Sequence, residues 1–108
     1  MALLANVVVE KTTYAFDSPF SYYVPSTLEE SLKAGCRVMV PFGAANRKRQ
    51  GLVLSVEEET VIPEKPLKEV AAQVDAEPIL NEEQLWLMKL LHERVFCTWY
   101  DAMKVLIP

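Results

Sequence analysis

The first 75 residues alternate between apolar and polar positions, which is the pattern of short, half-buried β-strands. Residues 3–10, with three consecutive valines, are predicted to form the first strand, and the aromatic segment 20–24 the second. Two further strands flank a loop at residues 43–49, and residues 68–74 form the fifth. Five short strands in this length favour a small, partly closed β-barrel of the OB-like kind.

The clearest pair of strands surrounds a loop with a basic end. Apolar side chains occupy alternate positions before and after that loop, at Val38, Val40, Phe42, Leu52, Leu54 and Val56. Gly43 begins the loop, and three consecutive basic residues end it. The segment is therefore predicted to be two half-buried strands joined by a cationic loop.

Two connections in the β-rich part show turn or helix-end signals. Ser26 with Glu29, or Thr27 with Glu30, has the spacing of a capping box, which predicts one helical turn at residues 28–32 before Gly35 ends it. Residues 63–66 begin and end with proline, so regular structure is not expected throughout that connection.

From Asn81 onward the apolar period becomes helical. Asn81 is a good N-cap with Gln84 three residues later, and a second helix is predicted at residues 98–106. We therefore expect a mainly β fold with α: a β-barrel subdomain at 1–75 and a helical subdomain at 76–108 packed on it, forming one compact unit. The apolar end of the chain suggests a piece of a longer protein.

Composition and charge limit how this chain can bind a nucleic acid. It has 11 basic and 15 acidic residues, a net charge of −4, so broad tracking of a duplex backbone is not expected. Any nucleic-acid site must be local. Arg47, Lys48 and Arg49 form the one basic run and residues 57–59 an acidic one, and each run taken alone is typical of a solvated loop tip.

Signals for a membrane, a metal or catalysis are poor. No apolar run approaches the roughly 20 residues of a membrane span, and a signal peptide is absent, which predicts a soluble cytosolic protein with no membrane partner. Cys36 and Cys97 lack metal-site spacing and are expected to be reduced and buried. His92, the single histidine, lies on the apolar helix, so this chain is not expected to be an enzyme.

Phe16 and Asp17 are the adjacent residues whose side chains best suit nucleic-acid binding. An exposed aromatic ring can stack on an unpaired base, and a neighbouring carboxylate can accept a hydrogen bond from a base edge or a sugar hydroxyl. The same pair is also explained by a core phenylalanine and a turn-capping aspartate. The residues alone leave both interpretations open.

Three sequence segments shift that balance: YAFDSPFSYYVP, AGCRVMVPFG and LKEV. With them the chain resembles the N-terminal DNA-binding domain of the primosomal replication-restart helicases, the primosomal protein N′ family. The resemblance covers essentially the whole chain. It implies a small barrel with added helices that captures the 3′-hydroxyl end of the nascent leading strand at a stalled fork.

The resemblance also implies a pocket and its residues. The pocket would be formed by Phe16, Asp17, Gly43 and Lys68, which all have the residue type that the family uses. Phe16 would provide an apolar wall, Gly43 a close approach of the backbone, and Asp17 with Lys68 an acceptor and a donor. Arg47, Lys48 and Arg49 are candidates for contacts with adjacent phosphates.

The remaining implications concern a longer parent protein. The resemblance implies an ATP-dependent 3′-5′ helicase in the bacterial cytoplasm, associated with the nucleoid and using ATP, Mg and Zn, whereas no cofactor is expected in this chain. Its partners would be single-stranded DNA 3′ ends at forks or D-loops, primosome proteins and single-strand-binding protein. Two alternatives stay open: a protein-interaction barrel without nucleic-acid binding, and a small-molecule or nuclease site at Asp17 and Lys68.

Overall fold

The computed structural model of the chain describes residues 2–10, 19–59, 67–94 and 99–107. Within these ranges the chain forms five strands and then two α-helices. The elements are β1 (Ala2–Val9), β2 (Phe20–Tyr23), β3 (Arg37–Phe42), β4 (Arg47–Glu59), β5 (Ala72–Gln73), α1 (Glu82–Arg94) and α2 (Trp99–Leu106). The predicted mainly β fold with two C-terminal helices is confirmed.

The five strands form one antiparallel sheet in the order β2-β1-β4-β3-β5. Among the described residues no continuous ladder closes the sheet, but a parallel bridge joins Tyr23 of β2 to Glu69, which lies shortly before β5. The amide of Tyr23 donates to the Lys68 carbonyl at 2.8 Å, and the amide of Val70 donates to the Tyr23 carbonyl at 3.0 Å. The sheet is therefore curled into the partly closed, OB-like form that the strand pattern predicts.

Strand β4 is long enough to pair with two neighbours. Its 13 residues pair with β3 near their start and with β1 over most of their length. The register with β1 shifts between Asn6 and Val7, an irregularity that bends the strand and increases its twist. Gly51 lies where β1 and β3 flank β4, and a side chain there would collide with Val7.

The two faces of the sheet are buried in different hydrophobic cores. The inner face holds the larger core: Ala5, Val7, Val9, Tyr22, Val24, Leu32, Cys36, Val38, Val40, Val53 and Val70. The outer face packs against the helices through a second core: Val8, Leu52, Leu80, Met88, Ala102 and Met103. The alternation of Val7, Val8 and Val9 between these cores follows the two-residue period of a strand. The division of the chain at residue 75 stays a prediction.

The start of α1 is capped as its sequence predicts. The Asn81 side-chain oxygen accepts from the Gln84 amide at 2.8 Å, and the Gln84 side-chain oxygen accepts from the Asn81 amide at 2.9 Å. This reciprocal pair is a capping box.

His92 on α1 stacks on the Trp99 ring of α2, with 4.3 Å between ring centroids.

The short helical turn before Gly35 is present, since the Leu32 amide donates to the Leu28 carbonyl at 2.9 Å, but it is not capped as predicted. The structure has a 3-10 helix at Ser26–Leu28 and no side-chain cap at its start. The Leu28 amide donates to the Pro25 carbonyl at 2.9 Å, so a backbone hydrogen bond closes the first 3-10 turn.

The fifth strand is shorter than the predicted segment 68–74 because the two halves of that segment pair with different edges. Lys68 and Val70 bond to Tyr23, the last residue of β2, whereas Ala71 and Val74 donate to carbonyls of β3 at 2.8 and 2.9 Å. Only Ala72–Gln73 remains as strand β5. Residues 68–74, which we call the crossing segment, thus join β2 to β3.

Two other expectations from the sequence concern cysteine and membrane contact. Cys36 is buried and carries a free thiol, as predicted, while Cys97 lies outside the described residues. None of the helices in the described ranges has the length and apolar character needed to cross a membrane.

Candidate nucleic-acid site

A pocket of about 410 Å³ opens where β2, the end of β3 and the start of the crossing segment meet. Its lining residues are Phe20, Ser21, Tyr22, Phe42, Gly43, Leu67 and Lys68. The structure thus brings together two of the four predicted site residues, Gly43 and Lys68. The other two, Phe16 and Asp17, lie outside the described residues.

Lys68 and Gly43 are joined directly across the pocket. The Lys68 Nζ atom donates a 2.8 Å hydrogen bond to the Gly43 carbonyl oxygen. The Lys68 backbone is fixed in turn by the bond that its carbonyl accepts from Tyr23. An ammonium group has three donors, and the bond to Gly43 uses one of them, so within the described part of the chain two are left for a ligand at the exposed end of the side chain.

Gly43 begins the turn between β3 and β4 in a left-handed backbone conformation, with φ of +76°. Its carbonyl also accepts from the Asn46 amide at 3.1 Å, which closes the turn. A β-carbon built at Gly43 would meet no atom of the described residues within 4 Å, so these residues leave the space beside it open. Glycine therefore supplies the conformation and leaves room for a ligand to approach the backbone.

Two phenylalanines form an apolar wall of the pocket. The Phe20 and Phe42 rings meet edge to face, with 5.0 Å between centroids and 84° between planes. The sequence analysis assigned the aromatic wall to Phe16 and missed this pair. The available signal was the position of Phe42 directly before Gly43 and of Phe20 at the start of the aromatic strand.

Tyr22 closes the inner end of the pocket. Its hydroxyl donates to the Pro41 carbonyl at 2.9 Å, and its side chain is buried. Burial raises the pKa of the Tyr22 phenol, and the nearby Arg49 guanidinium partly offsets that rise. The phenol is therefore a neutral structural donor at physiological pH, and it fixes β2 against β3.

The basic run belongs to a strand rather than to a loop. The turn covers only residues 43–46, and Arg47, Lys48 and Arg49 are the first three residues of β4. The predicted loop at 43–49 was therefore too long, because the antiparallel pairing with β3 extends to Phe42. Arg49 lies over the Phe42 ring, with its guanidinium carbon 4.6 Å from the centroid.

An ion pair anchors the far end of the crossing segment. Arg37 on β3 donates to both carboxylate oxygens of Asp75 at 2.9 Å, and its amide also donates to Asp75 at 3.0 Å. The hydrogen bonds from the Arg37 side chain are the main reason that the pKa of Asp75 lies below its usual value. The segment that carries Lys68 is thus held at β2 by its start and at β3 by its end.

Comparison with known proteins identifies similar sequences. Residues 6–108 match a family model described as the 3′ DNA-binding domain (3′BD). The chain is also 36% identical over 104 residues to the replication restart protein PriA of Bacillus subtilis (strain 168). That alignment covers 96% of this chain but 13% of the relative, so the chain spans about an eighth of the relative's length.

Proposed function

Because this chain belongs to the family of the 3′ DNA-binding domain found in the replication restart protein PriA, we propose that its pocket captures the 3′-hydroxyl end of a DNA strand. The observation that carries this proposal is the contact between Lys68 and Gly43 at an aromatic-walled pocket. An acidic chain with one local site suits the capture of an end better than the tracking of a backbone.

The size and lining of the pocket suit a single terminal nucleotide. Its volume of about 410 Å³ is near the lower end of the range for small-ligand pockets. The Phe20 and Phe42 rings offer apolar surface to a base, and stacking of this kind tolerates any base identity. The free donors of Lys68 face acceptors on the base edge or the sugar.

Phe16 and Asp17 complete the site in this proposal. Asp17 precedes the pocket-lining Phe20 by only three residues in the sequence, so the chain length allows its carboxylate to reach the pocket. The carboxylate accepts a hydrogen bond from the terminal 3′-hydroxyl, and Phe16 adds a second stacking face. A carboxylate also repels a 3′-phosphate, which gives the site its preference for a hydroxyl end.

In the longer protein, the proposed role of the domain is to place a helicase motor at the 3′ end of the nascent leading strand of a stalled fork. ATP hydrolysis with Mg²⁺, a Zn²⁺ site, and contacts with primosome proteins or single-strand-binding protein belong to the rest of that protein in this proposal. This chain contributes recognition of the end.

The experiment that tests end capture compares linear and circular DNA. The domain is titrated against a fluorescent single-stranded oligonucleotide, with the unlabelled linear strand or a covalently closed circle of the same sequence as competitor. End capture predicts that the linear strand competes at least tenfold better, because the two differ only in their termini. Equal competition would show that the domain binds along the strand and that the proposal is wrong.

A further inference from the structure

The three basic residues at the start of β4 do not face the same way. Residues that lie opposite each other in antiparallel strands share one face of the sheet. The pairs are Arg49 with Val40, Arg47 with Phe42, and Lys48 with Pro41. Because Val40 belongs to the inner core, Arg47 and Arg49 lie on the face that carries the pocket, and Lys48 lies on the opposite face.

Arg49 differs from its two neighbours in how firmly it is held. It is half-buried against the Phe42 ring, whereas Arg47 and Lys48 are exposed. Phe42, the ring that Arg49 covers, also lines the pocket together with Gly43 and Lys68. A guanidinium stacked on an aromatic ring has already lost much of its side-chain freedom, so less entropy is lost when it binds an anion.

In the described ranges, the Arg49 guanidinium has one long hydrogen bond and no acidic partner. Its Nη1 atom donates a long 3.5 Å bond to the Glu10 carbonyl, which uses one of the five guanidinium donors. Among the described residues, no carboxylate lies within 4.0 Å of the Arg49 guanidinium. The ion pair between Arg37 and Asp75 does not involve Arg49. A planar guanidinium with free donors matches two oxygens of a phosphate.

We propose that Arg49 binds the last internucleotide phosphate of the captured strand, the one that links the terminal nucleotide to its 5′ neighbour. This inference rests on the proposed function. Because Arg49 covers one face of Phe42, the base packs on the rest of the wall that Phe42 forms with Phe20, and a single sugar ties that base to the phosphate near Arg49. Arg47 and Lys48 supply only diffuse positive charge in this arrangement.

A cycle of protein and DNA changes tests the proposal. Wild type, Arg49→Gln and Lys48→Gln are each titrated with oligonucleotides that carry one neutral methylphosphonate linkage, placed either at the last linkage or at the fifth linkage from the 3′ end. We expect the last neutral linkage to weaken wild-type binding by roughly three- to tenfold, the range of one partly buried charge-assisted contact. Arg49→Gln should weaken binding of the unmodified strand by a similar factor and show no further loss at that linkage.

Lys48→Gln is the matched control, because it removes the same charge one residue away on the other face. Its affinity should stay within about twofold of wild type, and a neutral last linkage should still weaken its binding. Salt screens an exposed charge, so the loss of Lys48 has little effect. Arg49→Lys keeps the charge but loses the planar fork, and we expect binding between wild type and Arg49→Gln. Thermal melts of all variants confirm that each compared protein is folded.

Two results would overturn the assignment of Arg49. One is full sensitivity of a folded Arg49→Gln to the neutral last linkage, and the other is equal weakening by Lys48→Gln and Arg49→Gln. Either would show that the basic run acts as diffuse charge. A failure of the proposed function looks different, because wild type would then bind linear and circular strands equally whatever happens at Arg49.

Discussion

The Nζ atom of Lys68 and the carbonyl oxygen of Gly43, 25 residues apart in sequence, are joined by a 2.8 Å hydrogen bond. The crossing segment starts beside β2 and then pairs with β3. Gly43 directly follows the end of β3, so the start of the segment places Lys68 next to it. The pocket is thus produced by the partial closure of the barrel. Its lining residues come from distant parts of the sequence rather than from one contiguous motif.

Replacing Lys68 with methionine should weaken binding of a single-stranded 3′ end without unfolding the domain. The change removes the donor and the charge but keeps an unbranched side chain, so we expect a loss on the order of tenfold in affinity, the effect of one charged hydrogen bond. The melting temperature should change little because the lysine head group is exposed. Fluorescence anisotropy and thermal melts measure the two effects.

Lys89→Met is the control for that variant. Lys89 is exposed on α1, an element that contributes no residue to the pocket, so its loss changes the net charge equally. If Lys89→Met and Lys68→Met weaken binding equally, the effect of Lys68 is one of net charge and the site assignment is wrong.

Substitutions at Gly43 should separate backbone conformation from access to the pocket. Gly43→Ala places a β-carbon on a left-handed residue and should lower the free energy of unfolding by about 1 to 2 kcal/mol. Gly43→Asn tolerates that conformation better and should melt closer to wild type, yet bind the 3′ end more weakly because its side chain occupies the open space.

Asn46→Gly is the matched change within the same turn, since Asn46 also has a positive φ, of 52°. It should leave binding unchanged. Wild-type affinity in a folded Gly43→Asn would contradict the close approach of DNA to Gly43.

The ion pair between Arg37 and Asp75 should make stability depend on pH. The pKa of Asp75 is lowered in the folded state, mainly by the hydrogen bonds from Arg37. Its contribution is therefore complete above the unfolded pKa of about 3.9 and is lost as the pH falls through the lower folded value. Asp75→Asn should lower the free energy of unfolding by about 1 to 2 kcal/mol at pH 7.

Denaturant titrations at pH 7 and at successively lower pH check this dependence. The difference in the free energy of unfolding between wild type and Asp75→Asn should decrease only below about pH 4. Glu77→Gln, a nearby exposed carboxylate, should change stability little at any pH. A difference that stays constant down to pH 2 would show that the carboxylate charge contributes nothing.

The salt dependence of binding should be shallow. A site that contacts about two phosphates predicts a slope of about −1.4 for log affinity against log salt on single strands. Anisotropy titrations between low and moderate salt measure it. A slope several times steeper would indicate contacts with many phosphates along the strand.

The sequence was most informative where local patterns and local bonds determine the structure. The alternation around Gly43 predicted β3 and β4, and the spacing of Asn81 and Gln84 predicted a capping box that the structure contains. The fold class followed from these elements. The pairing of Gly43 with Lys68 in one pocket came from the family resemblance and not from any local pattern.

The errors lie where tertiary pairing decides. The segment at 68–74 reads as one strand, but barrel closure divides it between two edges, and no local signal marks that division. The different orientations of Lys48 and Arg49 follow from strand alternation, which the sequence analysis did not apply because it placed both residues in a loop. The roles of Phe16 and Asp17 stay predictions.

The measurement that tests the central claim most directly compares one oligonucleotide with a 3′-hydroxyl and with a 3′-phosphate, by anisotropy at moderate salt. End capture with an acceptor carboxylate at Asp17 predicts that the 3′-phosphate weakens binding at least several-fold, because like charges meet in the pocket. A 5′-phosphate on the same strand should have little effect. Equal affinity for the two 3′ ends would contradict capture of the 3′-hydroxyl.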